Sequence, residues 1–310
     1  MKSVASAPCK TILFGEHFVM YDTSAILCAI DKRITVRCET IKEKDLKIKS
    51  NIGTITTSLD DSIDNKFKPL LYIVKHVLKI NGFEGGVSMD IDSPIPAGVG
   101  LGSSSACFVA AARAVLNLFD KSSIQKVIDL AVQAEKTIFS SVSGADTTIS
   151  AIGGIIDYDK THTKIDSRLN FSLVIANSNE THSTNDVVNH VAEFAKQDAT
   201  KFSNLCKREA KIIQEAKNGI IDADIHKVGR CMSENQECLQ EIGVSNDTLD
   251  HMIRLAERES YGAKITGAGK GGCIIAITDQ TNVRQTMEIL EKNSFECFST
   301  KITTKGLDNI

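Results

Sequence analysis

No CxxC pair occurs anywhere in this sequence, although it holds nine cysteines. Scattered single thiols, odd in number, build neither a thiolate metal cluster nor a disulfide framework, so the expected state is reduced and the expected compartment cytoplasmic. A charge surplus is missing too. The net charge of −3 provides no basic field for nucleic acid, so any anion must be caught by local geometry. Long apolar runs are absent. The start, "MKSVASAPCKTILFGEH", lacks the apolar core of a signal peptide. The most apolar stretch, "ACFVAAARAVLNLF", is interrupted by Arg113 and Asn117 and is too short to span a bilayer. There is no internal repeat or low-complexity segment. What remains is an ordinary globular composition, 42% hydrophobic and 24% charged, long enough for one large or two modest domains.

The pattern along the chain falls into two blocks. In the first, "KTILFG", "SAILCAID" and "RITVRCET" read as strands, and "FKPLLYIVKHVLKI" (67–80) has helical periodicity. "GGVSMDIDSPI" returns to strand, helices follow over roughly 104–119 and 123–139, and "GGIIDYD" closes the block. The second block opens on the strand "FSLVIANSN". Helical stretches follow near 184–197, 201–217, 222–240 and 246–259, then the strands "AKIT" and "CIIAIT", a helix at 281–292 and the strand "FECFSTKIT". That order is a ferredoxin-like split βαβ unit with extra helices inserted. The polar stretch "DKTHTKIDSRLN" places the boundary near residue 165.

Five segments carry candidate chemistry. "PIPAGVGLGSSSA" (94–106) joins a strand to an alanine-rich helix; its glycines let backbone N–H groups turn toward a ligand, and the helix N-terminus adds partial positive charge. No lysine closes it, so it is not the GxxxxGK[ST] phosphate loop, and a plain well-capped turn is the alternative. In the next helix Glu135 follows Ala131 by four residues and Ile128 by seven, on the buried stripe. A carboxylate there needs a metal or an ion-pair partner. "SGADTT" sets Asp146 in a glycine turn, as a functional acid or merely an N-cap. Lys10 lies in a strand of core residues ahead of Gly15-Glu16-His17, so it points into a polar site or snorkels at an edge. Finally, "TGAGKGG" (266–272) matches GxGxxG by letter, but a strand follows it instead of a helix. It reads as a glycine hairpin whose backbone can lie against another domain's phosphate site.

In this order the motifs resemble the GHMP family of small-molecule kinases, which includes galactokinase, homoserine kinase, mevalonate kinase and phosphomevalonate kinase. The resemblance covers nearly the whole chain. It implies an α+β, two-domain GHMP kinase fold: a ribosomal protein S5 domain 2-like unit over 1–165 and a ferredoxin-like unit over 166–310. "KTILFGEHFVM" and "SGADTTISAIGG" look most like the mevalonate kinase branch. By that resemblance Pro96, Gly98, Val99, Gly100, Leu101, Gly102, Ser103, Ser104 and Ser105 cradle the phosphates of ATP, and Ser104 with Glu135 holds Mg²⁺. Asp146 accepts the proton of the acceptor hydroxyl and Lys10 orients it. Glu16, His17 and Thr147 line the acceptor side with them, and Gly267, Ala268 and Gly269 lie next to the phosphates.

The implied reaction is transfer of phosphate from ATP to the 5-hydroxyl of mevalonate, with no nucleic-acid or membrane partner; a homodimer is compatible with it. Phosphorylation of phosphomevalonate, another hydroxy acid or a sugar is the alternative within the family, and a non-catalytic ligand-binding relative the alternative outside catalysis. Two residues depart from the family pattern: Asp22 and Lys270 stand where glycine is usual.

Overall fold

The computed structural model describes residues 1–61, 64–95, 100–119, 123–139, 142–168, 171–181 and 183–309. Its first part is built on a long β-ribbon. Strand β1 (Lys2–Phe14) pairs antiparallel with β2 (Ala25–Ile41) through most of its length, with register shifts at Pro8/Cys9 and Ile12/Phe14. "SAILCAID" and "RITVRCET", read above as two strands, are thus one strand of 17 residues. A hairpin the sequence reading did not identify follows, β3 (Asp45–Ser50) and β4 (Gly53–Ser58). Helix α1 (Lys68–Ile80) leads to β5 (Gly86–Asp92). Next come α2 (Ser103–Leu116), α3 (Ile124–Glu135) and α4 (Ala145–Ile152), then β6 (Ile155–Asp159) and β7 (Thr161–Lys164). The sheet runs β12-β1-β2-β5-β3-β4, with β6 paired to the first residues of β2 and β7 to β6. Its final member, β12 (Asp308–Asn309), comes from the other end of the chain.

The second sheet is entered at β8 (Ser172–Asn177). Four helices intervene, α5 (Thr184–Gln197), α6 (Ala199–Ile221), α7 (Ile225–Glu241) and α8 (Asp247–Ala256). Local chemistry starts three of them. Asp198, Asp224 and Asn246 each accept, through the side chain, the backbone N–H three residues on. Then β9 (Gly262–Thr266), β10 (Cys273–Thr278), α9 (Val283–Lys292) and β11 (Cys297–Lys301) complete an antiparallel sheet of order β11-β8-β10-β9. Numbered within the unit that is 4-1-3-2, the ferredoxin-like order expected from the element sequence. All of β9 and β10 is buried, as their apolar, β-branched composition requires. No helix among the described residues is long and apolar enough to cross a membrane, and all nine cysteines are free thiols.

Two contacts fix the sheets against each other where the site lies. The turn after β1 carries Phe18 and Tyr21 onto Phe202 of α6, with ring centroids 6.2 and 4.6 Å apart. Beside it, the Thr266 hydroxyl at the end of β9 is 2.9 Å from that of Thr11, accepts the Ile12 N–H and donates to the Ile12 carbonyl, both at 3.2 Å. One side chain thus docks the second sheet on the irregular stretch of β1.

Candidate active site

Lys10 sits on β1 where that strand, among the described strands, is paired with β2 alone, and its backbone N–H donates to the Leu101 carbonyl at 3.0 Å. The glycine–serine loop therefore closes over the lysine. Gly102 makes this packing fit. It caps α2 with φ +65°, and a Cβ there would come within 2.6 Å of Lys10 Cγ. With the stem buried, the ammonium emerges 2.9 Å from a carboxylate oxygen of Asp146, which is 40% exposed toward the cleft. Asp146 is the second residue of α4, whose N-cap is Gly144, so it is not the cap itself. Gly102→Ala combines a left-handed backbone with this collision. We expect turnover to fall by about 10²-fold through displacement of Lys10 and stability by about 1–2 kcal/mol, measured by steady-state kinetics and thermal unfolding. Unchanged turnover would show that the lysine stem has room.

Glu135 is the last residue of α3 and is buried, as its place on the apolar stripe required. Ser105 donates to one carboxylate oxygen at 2.5 Å and Thr147 to the other at 3.0 Å. Among the described residues it has no ion-pair partner, and burial pushes its carboxyl above the ordinary range. A desolvated carboxylate ringed by hydroxyls beside the cleft suits a hard divalent cation such as Mg²⁺. The serine at Glu135 is Ser105; Ser104, one residue earlier, is exposed. Thr147 is wholly buried and its hydroxyl serves Glu135. Pro96, Gly98 and Val99 lie outside the described residues.

The glycine hairpin faces the loop. A Cβ on Gly267 would come within 3.9 Å of Gly100, and a Cβ on Gly269 would strike the Val244 carbonyl. His17 Nε2 lies 2.7 Å from the Ala268 carbonyl, which can only accept, so Nε2 carries the hydrogen. Burial lowers the imidazole pKa and keeps the ring neutral. Glu16 lines both the cleft and the pocket beyond Asp146, and its carboxylate is held from below by a lysine the sequence reading missed: Lys264 of β9, fully buried, donates to it. The available signal was a lysine inside the otherwise small or apolar strand "GAKIT". Both departures from glycine occur in left-handed backbone, Asp22 at φ +59° and Lys270 at φ +54°, where glycine carries no strain. Asp22 pairs with Lys160 at 3.1 Å, and the Lys270 N–H donates to Val244.

Three hollows meet here. The cleft itself is lined by Lys10, Asp146, Ser103, Ser104, Gly267 and Ala268, with Thr184 and Val188 of α5 as unforeseen contributors. On one side an apolar pocket among Ile52, Phe67, Ile95 and Phe108 reaches Ser103 and Ser104. On the other, Asp146 opens onto a pocket walled by Val19, Met20, Ala25 and Leu27, with Tyr158 and Lys160 in its lining.

The pattern of the chain matches two family models, "GHMP kinases N terminal domain" over residues 68–154 and "GHMP kinases C terminal" over 212–297. It is 32% identical to the mevalonate kinase of Pyrococcus furiosus over 298 residues, 89% of each chain. It is 29% identical to that of Aeropyrum pernix over 97% of this chain and 96% of that one. The crystal structure of Methanococcus jannaschii mevalonate kinase superimposes with a TM-score of 0.87 at 27% identity, covering 98% of this chain and 99% of the other. A lysine–carboxylate pair under a glycine–serine helix start, faced by a glycine hairpin, stands in this chain within the matching fold: the chain belongs to the GHMP kinase family.

Proposed function

We propose that this protein is an ATP-dependent kinase that phosphorylates the 5-hydroxyl of mevalonate. The observation that carries the reading is the Lys10–Asp146 pair at 2.9 Å, placed where the loop, the hairpin and the acceptor pocket meet. The mevalonate kinases of the archaeal relatives, and the match to them over nearly the full length, support the choice of acceptor.

The nucleotide base fits the apolar pocket that ends at Ser103 and Ser104, and the phosphates extend from there under the N-terminus of α2. Mg²⁺ would be held by Glu135 together with a serine hydroxyl, Ser104 by the motif's register or Ser105 by contact, and would supply charge neutralisation for the transferring phosphoryl group. Asp146 takes the proton of the acceptor hydroxyl as that oxygen bonds to the γ-phosphorus. The bond from the γ-phosphorus to the bridging oxygen breaks and ADP leaves. Lys10 holds Asp146 in place and offsets the negative charge gathering between donor and acceptor.

The pocket beyond Asp146 suits mevalonate at each end. Its apolar wall matches the methyl-bearing carbon chain, and Lys160 at its mouth, paired with Asp22 in the structure, would turn from that exposed partner to the carboxylate. Phosphomevalonate would bring extra phosphate charge into a lining whose cation beyond Asp146, among the described residues, is Lys160. Lys160→Met should raise the KM for mevalonate several-fold, more at low salt, and leave that for ATP unchanged. An unaltered mevalonate KM would remove Lys160 from recognition. The reading as a whole is tested by ADP release with Mg-ATP across mevalonate, phosphomevalonate, homoserine and galactose, with mevalonate expected to be turned over fastest.

A further inference from the structure

Beneath the acceptor pocket, reached through its lining residue Glu16, lies a group of polar side chains most of which the reaction leaves without a task. Glu16 comes from the turn after β1, Lys264 from β9, Glu209 from α6 and Asn235 from α7, and all four are buried. The Lys264 ammonium donates to Glu16 Oε1 and to the Ile265 carbonyl, and the Asn235 amide donates to Glu209 Oε1 at 2.7 Å. Two counts fail to balance. Two carboxylates face one ammonium, so the group is short of one positive charge. Glu16 Oε2, Glu209 Oε2 and Asn235 Oδ1 are buried without a hydrogen-bond partner among the described residues, and all three are acceptors. The group is therefore also short of a donor. One proton supplies the missing charge and turns one of the three acceptors into a donor for another.

Its location follows from the contacts. Burial raises the Glu16 carboxyl, but the Lys264 ammonium bonded to it works against that and favours the ionised form there. Among the described residues Glu209 is hydrogen-bonded by neutral donors, the Asn235 amide and the backbone N–H of Gly15, and feels the Lys264 ammonium without a bond to it. Oε1 already accepts, which leaves Oε2 for the proton. We propose that Glu209 is a positioning residue that works as a neutral acid, its Oε2 proton completing a buried cluster that fixes Glu16 and His17 behind the acceptor.

The surroundings are consistent with this. Burial, followed by the charge of Glu16, raises the Glu209 carboxyl to about 7. The other titratable neighbours are Lys264, Cys206 of the same helix and Cys238 of α7, whose thiols burial pushes up and keeps neutral. Arg208, next in sequence, is turned to Glu237 and Glu241. The functional link is short. Glu16 precedes His17, His17 is bonded to Ala268, and Ala268 lines the cleft with Lys10 and Asp146. Loss of the proton leaves two carboxylates repelling each other in a dry core and loosens that wall. Because the folded-state pKa is raised, the proton's contribution to stability is complete below the ordinary value of 4.5. It is lost as pH rises to about 7 and is constant above.

Glu209→Gln keeps the shape and a permanent donor, so it imitates the protonated acid. The full-length variant and wild type are compared by thermal unfolding from about pH 5 to 9, by infrared difference spectra in the carboxylic C=O region, and by KM for mevalonate and ATP. The variant's Tm should gain on wild type by several degrees up to about pH 7 and then hold. Wild type should show a protonated-carboxyl band in acid that fades in base and is absent from the variant. Above neutrality the mevalonate KM should rise several-fold in wild type alone, with the ATP KM alike in both. A Tm difference independent of pH, or no such band, would overturn the proton. So would wild-type stability at about pH 8 that depends on potassium rather than tetramethylammonium at equal ionic strength, because the missing charge would then be a metal ion. Identical KM profiles would overturn the positioning role. Only the KM arm rests on the acceptor proposed above; if another acceptor is the true one, the Tm and infrared results stand unchanged.

Discussion

Asp146→Asn lowers turnover of mevalonate by about 10²–10⁴-fold, the range for loss of a positioned general base. Asparagine keeps the size of the side chain and leaves Lys10, which is only 4% exposed, an oxygen to donate to. It cannot take a proton at neutral pH. The lysine thus stays in place while the base is lost, and the defect falls on kcat. The apparent affinity for ATP changes little, because the base pocket and the N-terminus of α2 do not involve Asp146. Steady-state kinetics with both substrates varied separates the two parameters. Near-normal kcat would reduce Asp146 to a counter-ion that keeps Lys10 folded.

Lys264→Met produces the largest loss of stability. It leaves the Glu16 carboxylate, with 1% of its side chain exposed, in an apolar setting without a counter-charge. Removing one partner of a buried ion pair costs about 3–5 kcal/mol, a drop in Tm on the order of 10 °C at this chain length. The loss has a direction in pH. Without its ammonium, Glu16 titrates higher in the folded than in the unfolded state, so the variant weakens as pH rises through and above the usual carboxylate range. A double variant, Glu16→Gln with Lys264→Met, buries two neutral groups and recovers much of the Tm. Thermal unfolding of the two variants and wild type checks this. Equal stability of the single variant and wild type would show that Glu16 is already neutral.

Sequence alone reached the parts of this site whose signal is local. A carboxylate on an apolar stripe announces itself by periodicity, and Glu135 is buried there. Glycine runs announce close approach of other atoms, and Gly102 against the Lys10 stem and Gly269 against the Val244 carbonyl lie at such approaches. The ferredoxin-like sheet followed from the order of its elements. What escaped depends on pairing between distant segments. Lys264 has no local sign of Glu16, which lies in the other sheet's turn. Lys160 follows "GGIIDYD" in a left-handed turn to β7, a strand of exposed residues with no apolar alternation to detect. Strand β12 has two residues and exists only because β1 offers it an edge. The choice between Ser104 and Ser105 turns on helical phase. Neighbouring residues of a helix point about 100° apart, and only the packing of α2 against α3 selects which hydroxyl meets Glu135.

The central claim is the reaction, and its product can be read directly. Purified protein is mixed with Mg-ATP and mevalonate and followed by phosphorus NMR with proton coupling. The account predicts one new phosphomonoester signal, split by the methylene protons of the 5-carbon, growing in step with ADP. Release of inorganic phosphate alone, or no consumption of ATP while a signal does grow with phosphomevalonate, homoserine or galactose, would contradict it.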